Sequence, residues 1–318
     1  MPVRTDRPRI FITPAILADL KAKAVPSNDR WQTLVDLVNR PGADWDVGLQ
    51  NYCVAYAVTG NKLYSDKAWS LMSQSMADGI KQVTGDSGYP CRTYFPSASM
   101  VFDLCYPALT PQNRTDLRVD IETCARWVWP ETNPLRVGQW AVDNPLNNYW
   151  WGFMYTWMAG LALYGDSTQA QSMIDLALTK WKTMAMPALS GVGAGGLLPE
   201  GTNYSVASAS FMLQQLLAHQ TATGEDIIAT TPFVMDSVTA MLHLTTPSLT
   251  EMAPLGDLGA GPISDTHRRA LLPLAGRDQR ARFWLDQVVP NRCQQRSNSW
   301  CEFLWYPGTP AVPTEGKS

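Results

Sequence analysis

Two polar segments in the middle of the chain contain the residue types best suited to chemistry. The first runs from Asn144 to Gly152 and the second from Gly195 to Ser205. Each opens a predicted helix, where polar side chains converge on a shared cleft instead of filling a core. The resulting amides, phenols and carboxylate suit proton transfer on a bound sugar acid. The candidate residues are Asn147, Asn148, Tyr149, Glu200, Asn203 and Tyr204.

Positively charged candidates are fewer. Arg92 lies just before a predicted helix and could supply a positive charge to the cleft, unless it is simply a solvated arginine. Arg268 is a weaker candidate of the same kind. The chain has only three histidines. His219 and His243 fall within helical patterns and are predicted to be structural, which leaves His267 as the histidine available to act as a base.

Tryptophan is abundant, with thirteen residues in the chain. Trp140, Trp150 and Trp151 are close in sequence to the first polar segment. Because the C–H face of a sugar packs well on an aromatic ring, these three are predicted to stack on substrate. Trp69 and Trp181 instead fall on helical apolar stripes and are predicted to be packing residues.

Helical periodicity dominates and predicts an all-α fold. Thr13-Pro14 and Thr110-Pro111 each place a capping threonine before a proline at the first helical position. Apolar residues then recur at spacings of three and four, with one such stripe running from Trp69 to Val83. Strand-like alternation is scarce, so no substantial sheet is expected.

A weak repeat indicates how the helices are organised. Gly60, Gly165 and Gly224 each follow an apolar run and precede a new capping residue, which is typical of helical hairpins. Several hairpins stacked together commonly close into an (α/α) toroid or incomplete barrel. Long loops are often functional and argue against an open solenoid. Such loops are predicted at 84–96, 131–146, 187–203 and 247–266.

Composition limits the classes of partner. The chain has 318 residues, 45% of them hydrophobic, and a net charge of −3 with no basic block, which disfavours nucleic acid. Its apolar runs are too short to span a membrane. Residues 1–306 are predicted to form one catalytic domain that acts as a monomer. Residues 307–318, with three prolines, are predicted to be a flexible tail or linker.

The cysteines show no metal-ligand spacing, and neither a metal nor another cofactor is predicted. Cys293 and Cys301 bracket a polar loop and could form a disulfide in an oxidising compartment. Cys53, Cys105 and Cys124 are predicted to be small core hydrophobes. No signal peptide is evident. We expect either a secreted or periplasmic protein whose leader is absent from this chain, or a cytoplasmic one.

Four motifs together resemble the α/α-toroid polysaccharide lyases, which include alginate lyases and the helical domain of heparinase II/III-type enzymes. The resemblance extends from about residue 7 to residue 306 and depends on the order and spacing of the motifs. They are the opening segment 7–14, the Asn147-Asn148 doublet before an aromatic helix, the Pro199-Glu200-Gly201 turn followed by Tyr204, and the later Pro254-Leu255-Gly256-Asp257.

The resemblance implies β-elimination on a uronic-acid polysaccharide of the alginate, glucuronan or glycosaminoglycan type. Asn148, with Asn147, matches the amide that binds the substrate carboxylate, and Tyr204 matches the catalytic tyrosine. Many relatives have histidine where this chain has Tyr149. Because the reference pKa of tyrosine is about 10, the departure favours a scheme in which Tyr204 is both base and acid.

The same resemblance assigns supporting roles. Glu200 matches relatives that handle the carboxylate with a glutamate. Asp257 and the glycine-rich loop before His267 match a late cleft loop, which implies that Asp257 contacts substrate.

Each candidate also has a structural interpretation, and two other functions stay open. Asn148 suits a helix N-cap, Tyr204 a packed aromatic, and Glu200 a carboxylate beside a helix N-terminus. A glycoside hydrolase with Asp143 and Glu200 as its acid and base is one alternative, provided that the two carboxylates face each other across a cleft. A toroid that binds carbohydrate without catalysis is the other.

Overall fold

The protein is almost entirely helical. The computed structural model describes residues 2–41, 47–134, 139–256, 261–263, 265–287 and 298–307. In that part of the chain the strands are limited to one antiparallel pair, β1 (Glu251–Met252) and β2 (Gly261–Pro262). The prediction of an all-α fold is therefore confirmed. No helix in the described ranges combines the length and apolar character needed to cross a membrane.

The helices are numbered here in chain order. Those of the first half are α1 (Pro14–Lys23), α2 (Asp29–Val38), α3 (Leu49–Thr59), α4 (Lys62–Met76), α5 (Lys81–Thr84), α6 (Cys91–Leu104) and α7 (Pro111–Arg126). Those of the second half are α8 (Asn148–Phe153), α9 (Thr156–Leu163), α10 (Ala170–Lys180), α11 (Met186–Ser190), α12 (Gly201–Thr223), α13 (Pro232–Leu244), α14 (Asp265–Leu271), α15 (Gln279–Gln287) and α16 (Ser299–Trp305).

Contacts between helices form a closed circuit. Helix α3 packs on α6, α6 on α9, α9 on α12, and α12 on α14. The 3₁₀ turn Leu272–Leu274 that follows α14 packs on α16, and α16 returns to α3. A second set, which includes α2, α4, α7, α10 and α13, packs on members of this circuit. An α/α toroid would have this pattern, and the toroid itself stays a prediction.

Burial separates the two sets of helices. All residues of α9 are buried, as are most of those of α6 and α12. A helix that is apolar on every side must be surrounded by other elements. In α2, α7 and α10 only one face is buried. The core therefore lies along the circuit, and the second set covers it.

Helix boundaries were predicted well where local capping determines them. The hydroxyls of Thr13 and Thr110 accept hydrogen bonds from the first turns of α1 and α7, as predicted. The three glycines of the repeat, Gly60, Gly165 and Gly224, all have positive φ.

Three boundary predictions are wrong. The loop predicted at 187–203 contains most of α11 and the start of α12. The stripe from Trp69 to Val83 is not one helix, because α4 ends at Met76 and α5 starts at Lys81. The loop predicted at 84–96 ends early, because α6 begins at Cys91 and places Arg92 in its first turn.

Candidate active site

Glu200 joins the two polar segments. Its Oε1 accepts a hydrogen bond from Asn147 Nδ2 at 2.8 Å, and its Oε2 accepts one from the Asn148 backbone N–H at 2.6 Å. Both donors are at the N-terminus of α8, where backbone N–H groups lack helical partners and favour negative charge. The Glu200 carboxylate thus holds the N-terminus of α8 against the start of α12.

Asn147, not Asn148, caps α8. Asn147 has extended backbone angles, and its Oδ1 accepts a hydrogen bond from the Tyr149 N–H at 2.9 Å. Asn148 is the first residue of the helix, so its interpretation as the cap is wrong. The cap leaves the Asn148 side chain available for another role.

The Asn148 side chain is an unusual buried donor. The residue is 2% exposed, and among the described residues its Nδ2 has no hydrogen-bond partner. Buried polar atoms are nearly always hydrogen-bonded, because desolvation without a partner costs about 1–3 kcal/mol. The Asn148 amide is thus a donor that the described residues leave unused.

A loop from the C-terminal half lies against the start of α12. The Thr202 N–H donates to the Leu255 carbonyl at 3.0 Å, and the Thr202 hydroxyl donates to the Ala253 carbonyl at 3.1 Å. This contact fixes the first turn of α12, from which the half-buried Asn203 and Tyr204 extend. Asp257 follows this loop but lies outside the described residues.

Arg92 interacts with three tyrosines of the site. Its guanidinium carbon lies 3.1 Å from the ring centroid of Tyr89, and its charge interacts with Tyr149 and Tyr204. Burial is the main cause that lowers the pKa of Arg92 to about 10, while the two phenols oppose the shift. The guanidinium remains charged at neutral pH, so the prediction of a positive charge at this site agrees with the structure.

Tyr149 is less suited to act as a base than its position suggests. Burial raises the pKa of Tyr149, and so does the Asp86 carboxylate, which accepts a hydrogen bond from the Tyr149 hydroxyl. The positive charge of Arg92 opposes this shift only in part. A raised pKa favours the protonated phenol. Tyr149 is therefore protonated at neutral pH.

Aromatic rings surround Tyr149. Its ring centroid lies 4.8 Å from that of Tyr89 and 5.0 Å from that of Trp140. Trp140 is 57% exposed, so its ring is accessible from outside, and its stacking on a sugar stays a prediction.

Trp150 and Trp151 do not face the site. They are 0% and 1% exposed, and their indole N–H groups donate to the carbonyls of Val142 and Pro145. The prediction that they stack on sugar rings is wrong, because both flanks of the short helix α8 are covered by the core. Trp140 is left as the predicted tryptophan that can meet a substrate.

The predictions for His267 and Arg268 also fail. His267 is 4% exposed and stacks on Trp284, with ring centroids 6.4 Å apart. Arg268 is 1% exposed and forms a buried ion pair with Glu302. The core already accounts for both side chains, His267 through Trp284 and Arg268 through Glu302. His219 is structural as predicted: it is 3% exposed and hydrogen-bonded to Glu225.

Sequence reasoning missed three residues of the site. Asp86, Tyr89 and Arg269 all interact with Arg92. The spacing of Tyr89 and Arg92 was a usable signal, because residues three apart share a helix face. At the Arg268-Arg269 pair, the sequence does not show which of the two arginines faces the site. Asp86 adopts a positive φ of 42°, a backbone conformation that the sequence does not reveal.

Two cavities of the described part of the chain lie away from this site. Within the described ranges, no group of three or more His, Cys, Asp or Glu side chains could hold a metal ion. Cavities of about 350 and 270 Å³ lie beside α2 and beside α10, and their linings contain none of the candidate residues. The disulfide considered for Cys293 falls outside the described residues.

Neither a comparison with protein-family models nor one with curated protein sequences finds a match for this chain.

Proposed function

We propose that this protein is a polysaccharide lyase that cleaves a uronic-acid polymer by β-elimination. The observation that carries the proposal is the buried Asn148 amide, which lacks a partner in the described structure and is held by the Glu200 network. The charged Arg92 on α6 interacts with Tyr204 on α12, and both helices pack on α8. An amide, a guanidinium and a phenol are the groups that this chemistry needs.

In the proposed reaction, Asn148 and Arg92 bind the carboxylate at C5 of the sugar. The partial positive charge of the Asn148 amide and the full positive charge of Arg92 stabilise the enolate-like negative charge that develops when the C5 proton leaves. Tyr204 acts as the base and takes that proton at its phenolic oxygen, beside the positive charge of Arg92. The electron pair left on C5 then forms the C4=C5 double bond, the C4–O4 bond breaks with its own pair going to O4, and Tyr204 returns the proton to O4.

A hydrolytic role for Asp143 and Glu200 has less support. Both carboxylate oxygens of Glu200 already accept hydrogen bonds at α8, whereas Asp143 is exposed to solvent. A general acid must donate a proton to the leaving group, whereas Glu200 acts as a hydrogen-bond acceptor at both oxygens.

The test is an assay with alginate, glucuronan, hyaluronan, chondroitin and heparin. We expect at least one of them to yield the ultraviolet absorbance of an unsaturated uronate. New reducing ends without that absorbance would indicate hydrolysis, and no cleavage of any polymer would favour a binding protein.

Tyr204→Phe should abolish the activity, because it removes the group that moves the proton. Tyr56→Phe is the matched control: Tyr56 is a half-buried tyrosine on α3, outside the site. We expect the control to keep the activity of the unmodified protein. Full activity in Tyr204→Phe would refute the assigned role.

A further inference from the structure

Arg269 lies on α14, next to the core residue Arg268, but has different surroundings. It is half-buried, and in the described structure its Nε is buried without a hydrogen-bond partner. Its Nη1 reaches the Asn298 Oδ1 only at 3.5 Å, the limit of a hydrogen bond. The cost of desolvating this guanidinium is therefore poorly compensated within the protein.

Arg269 is also close to Arg92. Its positive charge is one of the causes, after burial, that lower the pKa of Arg92. In the described ranges neither guanidinium forms a direct ion pair with a carboxylate, in contrast to Arg268 with Glu302. Two like charges in a half-buried region repel each other more strongly than they would in water.

The charges at this place do not balance. Arg92 and Arg269 contribute two positive charges, and Asp86 is the acidic side chain that interacts with Arg92. Among these described side chains, one positive charge is left in excess. Glu200, whose carboxylate is bound at the N-terminus of α8, is not among the charges that act most strongly on Arg92. One bound anionic group would neutralise the region.

We propose that Arg269 is the second cationic residue of this site and binds, together with Arg92, one oxyanion group of the substrate. The group is a carboxylate or a sulfate, since a guanidinium recognises both with paired N–H donors. The inference deepens the proposed function and rests on the same site. It assigns to α14 a direct contact with the sugar, through the arginine that follows the buried Arg268.

Binding is measured by calorimetry with tetrasaccharides of mannuronate and of glucuronate, in the Tyr204→Phe background to prevent turnover. Arg269→Gln should weaken binding by roughly 10- to 100-fold, the effect of losing one charged hydrogen-bond donor. Arg269→Lys should lose less affinity, because lysine keeps the positive charge but lacks the paired N–H donors of a guanidinium. Arg126→Gln, an exposed arginine on α7, is the control and should bind unchanged.

Two further arms identify the anionic group. Methyl-esterified tetrasaccharides should bind weakly and with the same affinity in Arg269→Gln as in its parent. Inorganic sulfate should compete with the tetrasaccharides in the parent but not in Arg269→Gln. Circular dichroism of each variant verifies that it is folded.

The outcomes separate this inference from the proposed function. Binding that depends on Arg269, without any unsaturated product from the unmodified protein, would support the inference and sink the lyase assignment. Equal affinity of a folded Arg269→Gln variant and its parent would overturn the inference, whether or not the protein is a lyase. Failure of the parent to bind any tetrasaccharide or sulfate would also overturn it.

Discussion

At the scale of single residues, Glu200 organises the site. Its two oxygens accept donors from consecutive residues, Asn147 and Asn148, on a different helix. A carboxylate can satisfy both donors at once, whereas an amide has only one acceptor oxygen. The residue thus contributes by fixing the position of Asn148, and its own negative charge is stabilised by the N-terminus of α8.

Glu200→Gln should therefore destabilise the protein. One donor at the mouth of α8 loses its acceptor, and we expect the free energy of unfolding to fall by about 1–3 kcal/mol. Urea denaturation followed by circular dichroism measures this. Glu251→Gln, on the exposed side of β1, is the control and should change the free energy by less than about 0.5 kcal/mol. A loss no larger than that of the control would contradict the role of Glu200.

His219 gives the stability a pH dependence. Burial lowers the pKa of His219, and the hydrogen bond to Glu225 opposes the shift only in part. In the unfolded chain the imidazole has its reference pKa of about 6.5. Below that pH the unfolded state binds more protons than the folded state, so stability falls as the pH decreases from about 6.5 toward the lowered folded value.

We expect His219→Gln, which does not titrate, to show a shallower loss of stability between pH 7 and pH 5 than the unmodified protein. The measurement is the free energy of unfolding in urea at several pH values. His243→Gln is the control, because His243 is exposed on α13. Identical slopes for His219→Gln and the unmodified protein would show that His219 does not contribute.

At the scale of elements, the start of α12 depends on close backbone contact with the loop 253–256. Gly201 has a φ of +86°, and a β-carbon there would lie 2.0 Å from the Leu255 carbonyl oxygen. A side chain at this position would push the loop away from Thr202 and from the turn that presents Tyr204. The glycine is required by both its conformation and its lack of a side chain.

Gly201→Ala and Gly224→Ala form a matched pair. Gly224 has a similar φ of +81°, but a β-carbon there would meet nothing within 4 Å. Gly224→Ala should cost only the conformational strain, about 1–2 kcal/mol. Gly201→Ala adds a backbone clash and should lower the melting temperature by clearly more, with loss of activity. Equal shifts in calorimetry would contradict the close contact.

At the scale of the whole molecule, the circuit of helices is completed through a buried charge cluster. Glu302 on α16 accepts from Arg268 on α14 and from Arg30 on α2, the latter at 3.2 Å. Beside it, the Trp300 N–H donates to Asn51 Oδ1 at 2.7 Å. These contacts connect the last described helix to the first part of the chain.

Glu302→Ala should strongly destabilise the protein. It leaves Arg268, which is 1% exposed, as a buried charge without its carboxylate, at a cost of about 3–5 kcal/mol. Glu251→Ala is the control, because Glu251 is on the exposed side of β1. Chemical denaturation compares the two, and a similar effect of both substitutions would contradict a structural role for the cluster.

The sequence predicted the features that depend on residues close together in the chain. Caps such as Thr13 and the all-α class follow from local patterns, and both are confirmed. The bond between Glu200 and Asn147 joins residues 53 positions apart and requires the tertiary fold. Trp150 and His267 were assigned to the cleft because a polar motif next to a buried helix has the same pattern as one next to an open cleft.

The closure of the circuit has a consequence for the order of folding. Arg30 and Glu302 are 272 positions apart, whereas paired helices such as α3 and α4 are adjacent in the chain. Local hairpins form quickly, while contacts between distant segments add slow steps. During synthesis, each hairpin can therefore fold soon after it leaves the ribosome. The closed arrangement has to wait for α16, and until then the apolar edges of α3 and α14 need protection from aggregation.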